Sequence, residues 1–256
     1  MDTICVANHQ LEYQWFGPTP KLSPTIVFLH EGLGCVAMWR DFPERVADAT
    51  GLGVLVYSRV GYGNSEPCEL PRHVSFMHDE ALNVLPLVLN AFEIDKPILF
   101  GHSDGGSIAL IYAGSDPAIN LQALILEAPH VFVENLSIQS IEKAKDAYEN
   151  GVLKAGLERY HGANTECAFR GWNDVWLNSE FRDWNIESSL PHIKVPVLVI
   201  QGEDDQYGTL KQVEAIKTGL HGAVQTLLLP NCGHSPHRDQ RDNVLKATVD
   251  FLKHLS

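Results

Sequence analysis

The tightest constraint on the fold of this chain is the stretch Phe100-Gly101-His102-Ser103-Asp104-Gly105-Gly106. It follows the apolar run Pro97-Ile98-Leu99-Phe100 and leads into Ser107-Ile108-Ala109-Leu110-Ile111-Tyr112-Ala113, which reads as a buried helix. A Gly-x-Ser-x-Gly between a strand and a helix puts the serine on a sharp turn, with its hydroxyl thrust out of the sheet. Glycines at 101 and 105 suit a turn too tight for neighbouring Cβ atoms. The pattern alone does not settle the function, so its surroundings must be read with it.

Those surroundings repeat one theme. Thr25–Leu29, Val54–Tyr57, Ala123–Leu126 and Val195–Ile200 are apolar runs without polar alternation, as expected of strands buried on both faces. The first two open onto glycine loops, His30-Glu31-Gly32-Leu33-Gly34 and Arg59-Val60-Gly61-Tyr62-Gly63-Asn64-Ser65. Helical patterns run from Trp39 to Ala49, stopped by Gly51, and from Phe76 to Phe92, where Pro86 predicts a kink. Further helices are expected at Leu210–Leu220 and Asn243–Leu252, a strand at Val224–Leu229, and an N-terminal hairpin pairing Ile4–Val6 with Gln10–Phe16. Strand, glycine loop and helix in alternation predict an α/β fold, a mostly parallel sheet with helices on both faces. The active crevice of such a sheet lies beyond the carboxyl ends of its strands, where the glycine loops and Ser103 fall.

Between His130 and His192 the alternation breaks. Charged helical patterns (Ile138–Asn150, Val152–Tyr160) precede an aromatic segment with Phe169, Trp172, Trp176, Phe181 and Trp184. The expected organisation is a core of residues 1–129 and 193–256, with residues 130–192 inserted as a helical cap, or lid, after the sixth strand. A cap bordering a cleft accounts for both the interruption and the aromatics.

Composition removes several classes of function. The 19 basic and 32 acidic residues give a formal charge of −13, the wrong sign for phosphate-backbone binding, so no nucleic-acid partner is expected. No apolar run approaches the roughly 18 residues of a spanning helix, and Met1-Asp2-Thr3-Ile4-Cys5 lacks the basic start of a signal peptide, so no membrane partner is expected. Five cysteines (Cys5, Cys35, Cys68, Cys167, Cys232), odd in number and without a CxxC pair, fit reduced thiols in a cytoplasmic protein. His234 and His237 are spaced HxxH but lack a zinc signature, so neither metal nor cofactor is expected. Oligomeric state is not legible.

A serine hydroxyl needs a base to take its proton, and that base needs a third group to orient it. Past the strand at 195–200 come Gly202-Glu203-Asp204-Asp205, and past the strand at 224–229 comes Gly233-His234. Asp204, Asp205 and Glu127 are the candidate acids, and His234 is the candidate base. The order Ser, Asp, His, each at a strand's carboxyl end, is that of α/β-hydrolases.

On these residues the chain resembles the α/β-hydrolase-fold serine hydrolases along essentially its whole length. The Gly-His-Ser-Asp-Gly-Gly stretch and the cap length are similar to the valacyclovir hydrolase and biphenyl-hydrolase-like group. The resemblance selects Asp205 as the acid. It also implies an oxyanion hole from the Gly32 N–H, beside that of Asp104, the residue after the nucleophile. Glu31 departs from the family's common His-Gly pattern. The resemblance further implies that Asp104 favours substrates with a free α-amino group, with Glu31 as a further acid drawing a cation to the cleft, against the alternative that Asp104 caps the following helix. Glu31, Leu33, His130, Trp172 and Trp176 are the candidate substrate-binding residues.

Together these features predict a serine hydrolase for a small-molecule carboxylic ester, working through an acyl-enzyme. The main enzymatic alternative is carbon–carbon bond hydrolysis of ring-cleavage products. The alternative from another class is a ligand-binding signalling module on the same scaffold. Dehalogenases and epoxide hydrolases of this fold use an aspartate nucleophile, so Ser103 argues against both.

Overall fold

The computed structural model describes residues 2–116 and 120–254. It begins with the hairpin β1 (Asp2–Val6) and β2 (His9–Phe16), followed by β3 (Thr25–Leu29), α1 (Phe42–Thr50) and β4 (Gly53–Tyr57). Then come α2 (Phe76–Asp79), α3 (Leu85–Ala91), β5 (Pro97–His102), α4 (Asp104–Gly114) and β6 (Ala123–Glu127). Three helices intervene, α5 (Asn135–Glu149), α6 (Val152–His161) and α7 (Thr165–Trp176). The chain closes with β7 (Val197–Gly202), α8 (Leu210–Gly219), β8 (Val224–Leu229), α9 (Pro236–Asp239) and α10 (Arg241–Lys253).

The strands form one eight-stranded sheet in the order β1-β2-β4-β3-β5-β6-β7-β8. Only β1–β2 and β2–β4 pair antiparallel; the remaining neighbours are parallel. The α/β reading holds, and the apolar runs have the predicted cause. Successive residues of one strand point to opposite faces, and both faces are covered. Ile26, Phe28, Ile98 and Phe100 pack against Phe42 and Val46 of α1 and Val244 and Phe251 of α10. Val27, Leu29 and Leu99 pack on the other side with Leu85, Val88 and the body of α4. α4 is therefore apolar all round, with ten of its eleven residues buried.

Two local expectations shift. The helix expected from Trp39 starts at Phe42 instead, because Arg40 takes a left-handed φ of 55° after a 3-10 turn at Val36–Trp39. Trp39 is still core, edge-on to Phe28 at 4.9 Å between ring centres. The kink expected at Pro86 is a π-turn over Glu80–Val84, which delivers Pro86 into the first turn of α3, where its missing N–H costs nothing.

Candidate active site

The site is built from strand ends. β5 stops at His102, and Ser103 turns the chain into α4 with φ 52° and ψ −118°. A serine in that region is strained by roughly 1–3 kcal/mol and persists only where its surroundings enforce it. Enforcement is visible in the two flanking glycines. A Cβ on Gly105 would sit 2.0 Å from the Leu29 carbonyl oxygen, and one on Gly101 would sit 2.4 Å from that of Gly105. The Ser103 N–H donates to the Glu127 carbonyl at 2.8 Å, tying the turn to the end of β6.

Asp205 lies three residues past β7, and His234 lies in the loop after β8. Ser103 Oγ is 2.9 Å from His234 Nε2. His234 Nδ1 is 2.8 and 2.9 Å from the two oxygens of Asp205. The structure thus brings Asp205, of the three candidate acids, to the imidazole. Asp204 is exposed, and Glu127 is spent on His237, whose Nδ1 lies 2.6 Å away.

Asp205 also accepts from the Tyr207 N–H at 2.7 Å and the Gln201 amide at 2.7 Å. Burial would raise its carboxyl, but the His234 charge and these hydrogen bonds hold it down at about 2. For His234 burial opposes the charge, while Asp205 outweighs it and keeps the ring above its ordinary 6.5. The pair is therefore an ionised carboxylate holding one tautomer of a basic imidazole, with Nε2 free to accept from Ser103. His102 fixes this loop from beneath, its Nε2–H donating to the His234 carbonyl at 2.6 Å. Burial lowers the His102 ring to about 4, so it stays neutral.

Two backbone amides are the candidate oxyanion donors. The Asp104 N–H opens α4, where helix amides lack intrahelical partners. The Gly32 N–H has no partner among the described residues. Its loop is held by the buried Arg59, which donates to the carbonyls of His30 at 2.6 Å and Glu31 at 2.9 Å. His161, at the end of α6, accepts from the Gly63 N–H and donates to the Leu33 carbonyl, both at 3.0 Å. Gly32 must be glycine, because a Cβ there would lie 2.1 Å from the Trp172 ring.

A cavity of about 50 Å³ opens beside Ser103 and His234. All five predicted substrate-binding residues line it (Glu31, Leu33, His130, Trp172 and Trp176), as does Gly32. Ser137, Ile141 and Tyr207 line it too, and sequence reasoning missed them. Only the docking of α5 over the sheet reveals the first two. Tyr207, whose ring centre is 4.8 Å from that of His234, carried a signal in standing two residues past the acid. Burial lowers the His130 ring to about 3, and its Nδ1 is buried without a partner.

Asp104 is a correction to the sequence reading. Its side chain is fully buried, and one oxygen accepts from the Trp176 indole N–H at 3.2 Å. It neither caps α4 nor lines the cavity. Burial lifts its carboxyl to about 6.

Two sets of donors stand close enough to converge on a metal ion: Glu31, His102 and His234, and His102, Glu127 and His237. In the first, both ring nitrogens of His234 are engaged; in the second, His237 Nδ1 is bound to Glu127. Cys35 and Cys232, near the site in sequence, are raised by burial to about 12 and are poor nucleophiles. Tyr62 is core, and Trp184 stacks on Phe181, so neither lines the cavity.

The chain matches the Alpha/beta hydrolase family over residues 26–247. It is 25% identical to a proline iminopeptidase of Thermoplasma volcanium, over 89% of this chain and 88% of that protein. It is likewise 25% identical to the serine hydrolase BPHL of Homo sapiens, over 78% of this chain and 69% of that protein. Among solved structures it is similar to the enol-lactonase from Burkholderia xenovorans LB400, with TM-score 0.75 and 20% identity. That match covers 98% of this chain and all of the other.

Proposed function

The chain belongs to the alpha/beta hydrolase family, and within it we propose a serine hydrolase that cleaves carboxylic esters of small acyl groups through an acyl-enzyme. The observation carrying this reading is the unbroken line of contacts Ser103–His234–Asp205. Ser103 Oγ attacks the ester carbon as His234 takes its proton. The Gly32 and Asp104 amides receive the oxyanion, an interaction commonly worth about 3 kcal/mol per donor. His234 protonates the leaving alcohol and then activates water to release the acid. Asp205 holds the tautomer and stabilises the imidazolium.

Acyl size follows from the cavity. About 50 Å³ accommodates a few atoms, which favours acetyl to butyryl groups over long chains. The helices between β6 and β7 act as the lid, contributing Trp172 and Trp176 to the acyl side. Five free thiols suit a reducing cytoplasm.

A second reading, an acyl group bearing a free amine, is favoured by one observation. Glu31, named with Asp104 as an acid that would draw a cation to the cleft, lines the cavity. Equal turnover of an amino-acid ester and its N-acetylated twin removes that reading.

The primary test is labelling with a fluorophosphonate or sulfonyl fluoride. The expected adduct is on Ser103, with turnover of short p-nitrophenyl esters lost in step. Labelling elsewhere, or an ester panel left untouched beside a cleaved ring-cleavage dienone, sinks the ester assignment in favour of carbon–carbon hydrolysis. No turnover of any panel member leaves the ligand-binding alternative standing.

A further inference from the structure

Glu31 is the one departure from the family pattern that the acylation chemistry leaves unused. Glu31 lines the cavity that also holds Ser103 and His234. A carboxylate oxygen of Glu31, a ring nitrogen of His234 and a ring nitrogen of His102 all lie within 4.8 Å of one another. Among the described residues no side-chain or backbone donor hydrogen-bonds to that carboxylate. The spacing suits one water better than direct contact. A water making two hydrogen bonds of about 2.8 Å at a near-tetrahedral angle joins partners about 4.6 Å apart.

We infer that Glu31 holds the water that hydrolyses the acyl-enzyme. The inference rests on the acyl-enzyme reading and adds a residue to its second half. One O–H of the water donates to the Glu31 carboxylate, and the other faces His234. As the water oxygen attacks the acyl carbon, His234 takes its proton. The bond from that carbon to Ser103 Oγ breaks, Oγ regains the proton from His234, and the carboxylic acid departs. Glu31 accepts a hydrogen bond throughout and keeps no proton. The state it needs is the charged one. Burial pushes its carboxyl up, but nearby positive charge, that of His234 and Arg238 among it, holds it below the usual range.

The test separates the two half-reactions. Wild type, Glu31→Gln and Glu31→Asp are mixed with excess p-nitrophenyl acetate. Acylation is timed by nitrophenolate release, and deacylation by loss of the acetyl mass from Ser103 after the ester is removed. In Glu31→Gln, deacylation is expected to slow by about 10- to 100-fold, the worth of a hydrogen bond to a charged group, with acylation slowed far less. Glu31→Asp recovers part of the loss. Both steps slowing alike, or neither slowing, overturns the inference, as does an effect confined to acylation by amino-bearing esters, which makes Glu31 a cation-recognising residue. Acetyl mass absent from Ser103 in wild type defeats the acyl-enzyme reading first and this inference with it.

Discussion

Two regions meet over Ser103, and they are held in place by different physics. The loops carrying Ser103, Asp205 and His234 follow directly from β5, β7 and β8, whose register is set by ladder hydrogen bonds to their neighbours. The helices α5 to α7 belong to no sheet, and α5 and α7 line the same cavity. They are held by packing, such as Tyr148 stacked on Phe169 with 3.6 Å between ring centres, and by single side-chain hydrogen bonds rather than ladders, such as Asn164 to the Ser65 carbonyl and Ser140 to the Gln206 carbonyl, both at 2.6 Å. The difference teaches that chemistry is fixed by backbone here, while substrate shape is fixed by side chains. The two should separate under mutation.

The largest expected effect is on the backbone-fixed side. Ser103→Ala should lower kcat for short esters by about 10⁶-fold, with the circular dichroism spectrum unchanged. Substantial residual turnover would show that the sheet loops do not hold the chemistry. Asp205→Asn should cost about 10⁴-fold by leaving His234 in the wrong tautomer, with KM little moved.

Gly32→Ala tests the seam between the regions. Its methyl would meet Trp172, so loss of the oxyanion donor's position should cost about 10²- to 10³-fold in kcat/KM. Adding Trp172→Ala should restore part of that loss and admit longer acyl chains, each further methylene being worth about 1–3 kcal/mol. No recovery in the double variant would mean the two regions are not separable at this point.

The smallest effect is a displacement rather than a loss. Acylation needs neutral His234, and Asp205 raises its pKa, so kcat/KM should fall as pH drops through a value above 6.5. Removing the Asp205 charge should move that limb to lower pH, read from the residual activity of Asp205→Asn. A limb that stays put would show that the carboxylate only orients the ring.

The fold was readable because strands buried on both faces leave unbroken apolar runs, as at Thr25–Leu29 and Ala123–Leu126. Ser103 and His234 were readable because tight turns leave glycines beside them. Where a residue's partner lies far along the chain, local pattern carried no trace. The Glu127–His237 pair spans 110 positions, and the use of Asp104 depends on where α7 docks Trp176. The late start of α1 was hidden for a different reason. Trp39 has helical spacing but is buried from a 3-10 turn, and burial, not helicity, is what the spacing recorded.

His161 gives the two regions a mechanical interlock. It belongs to α6, yet its ring clasps the Gly63 amide on one side and the Leu33 carbonyl on the other. Leu33 directly follows Gly32, so any displacement of α6 must either release that ring or draw the Gly32 loop with it. In the second case the proposed oxyanion amide would move together with α6.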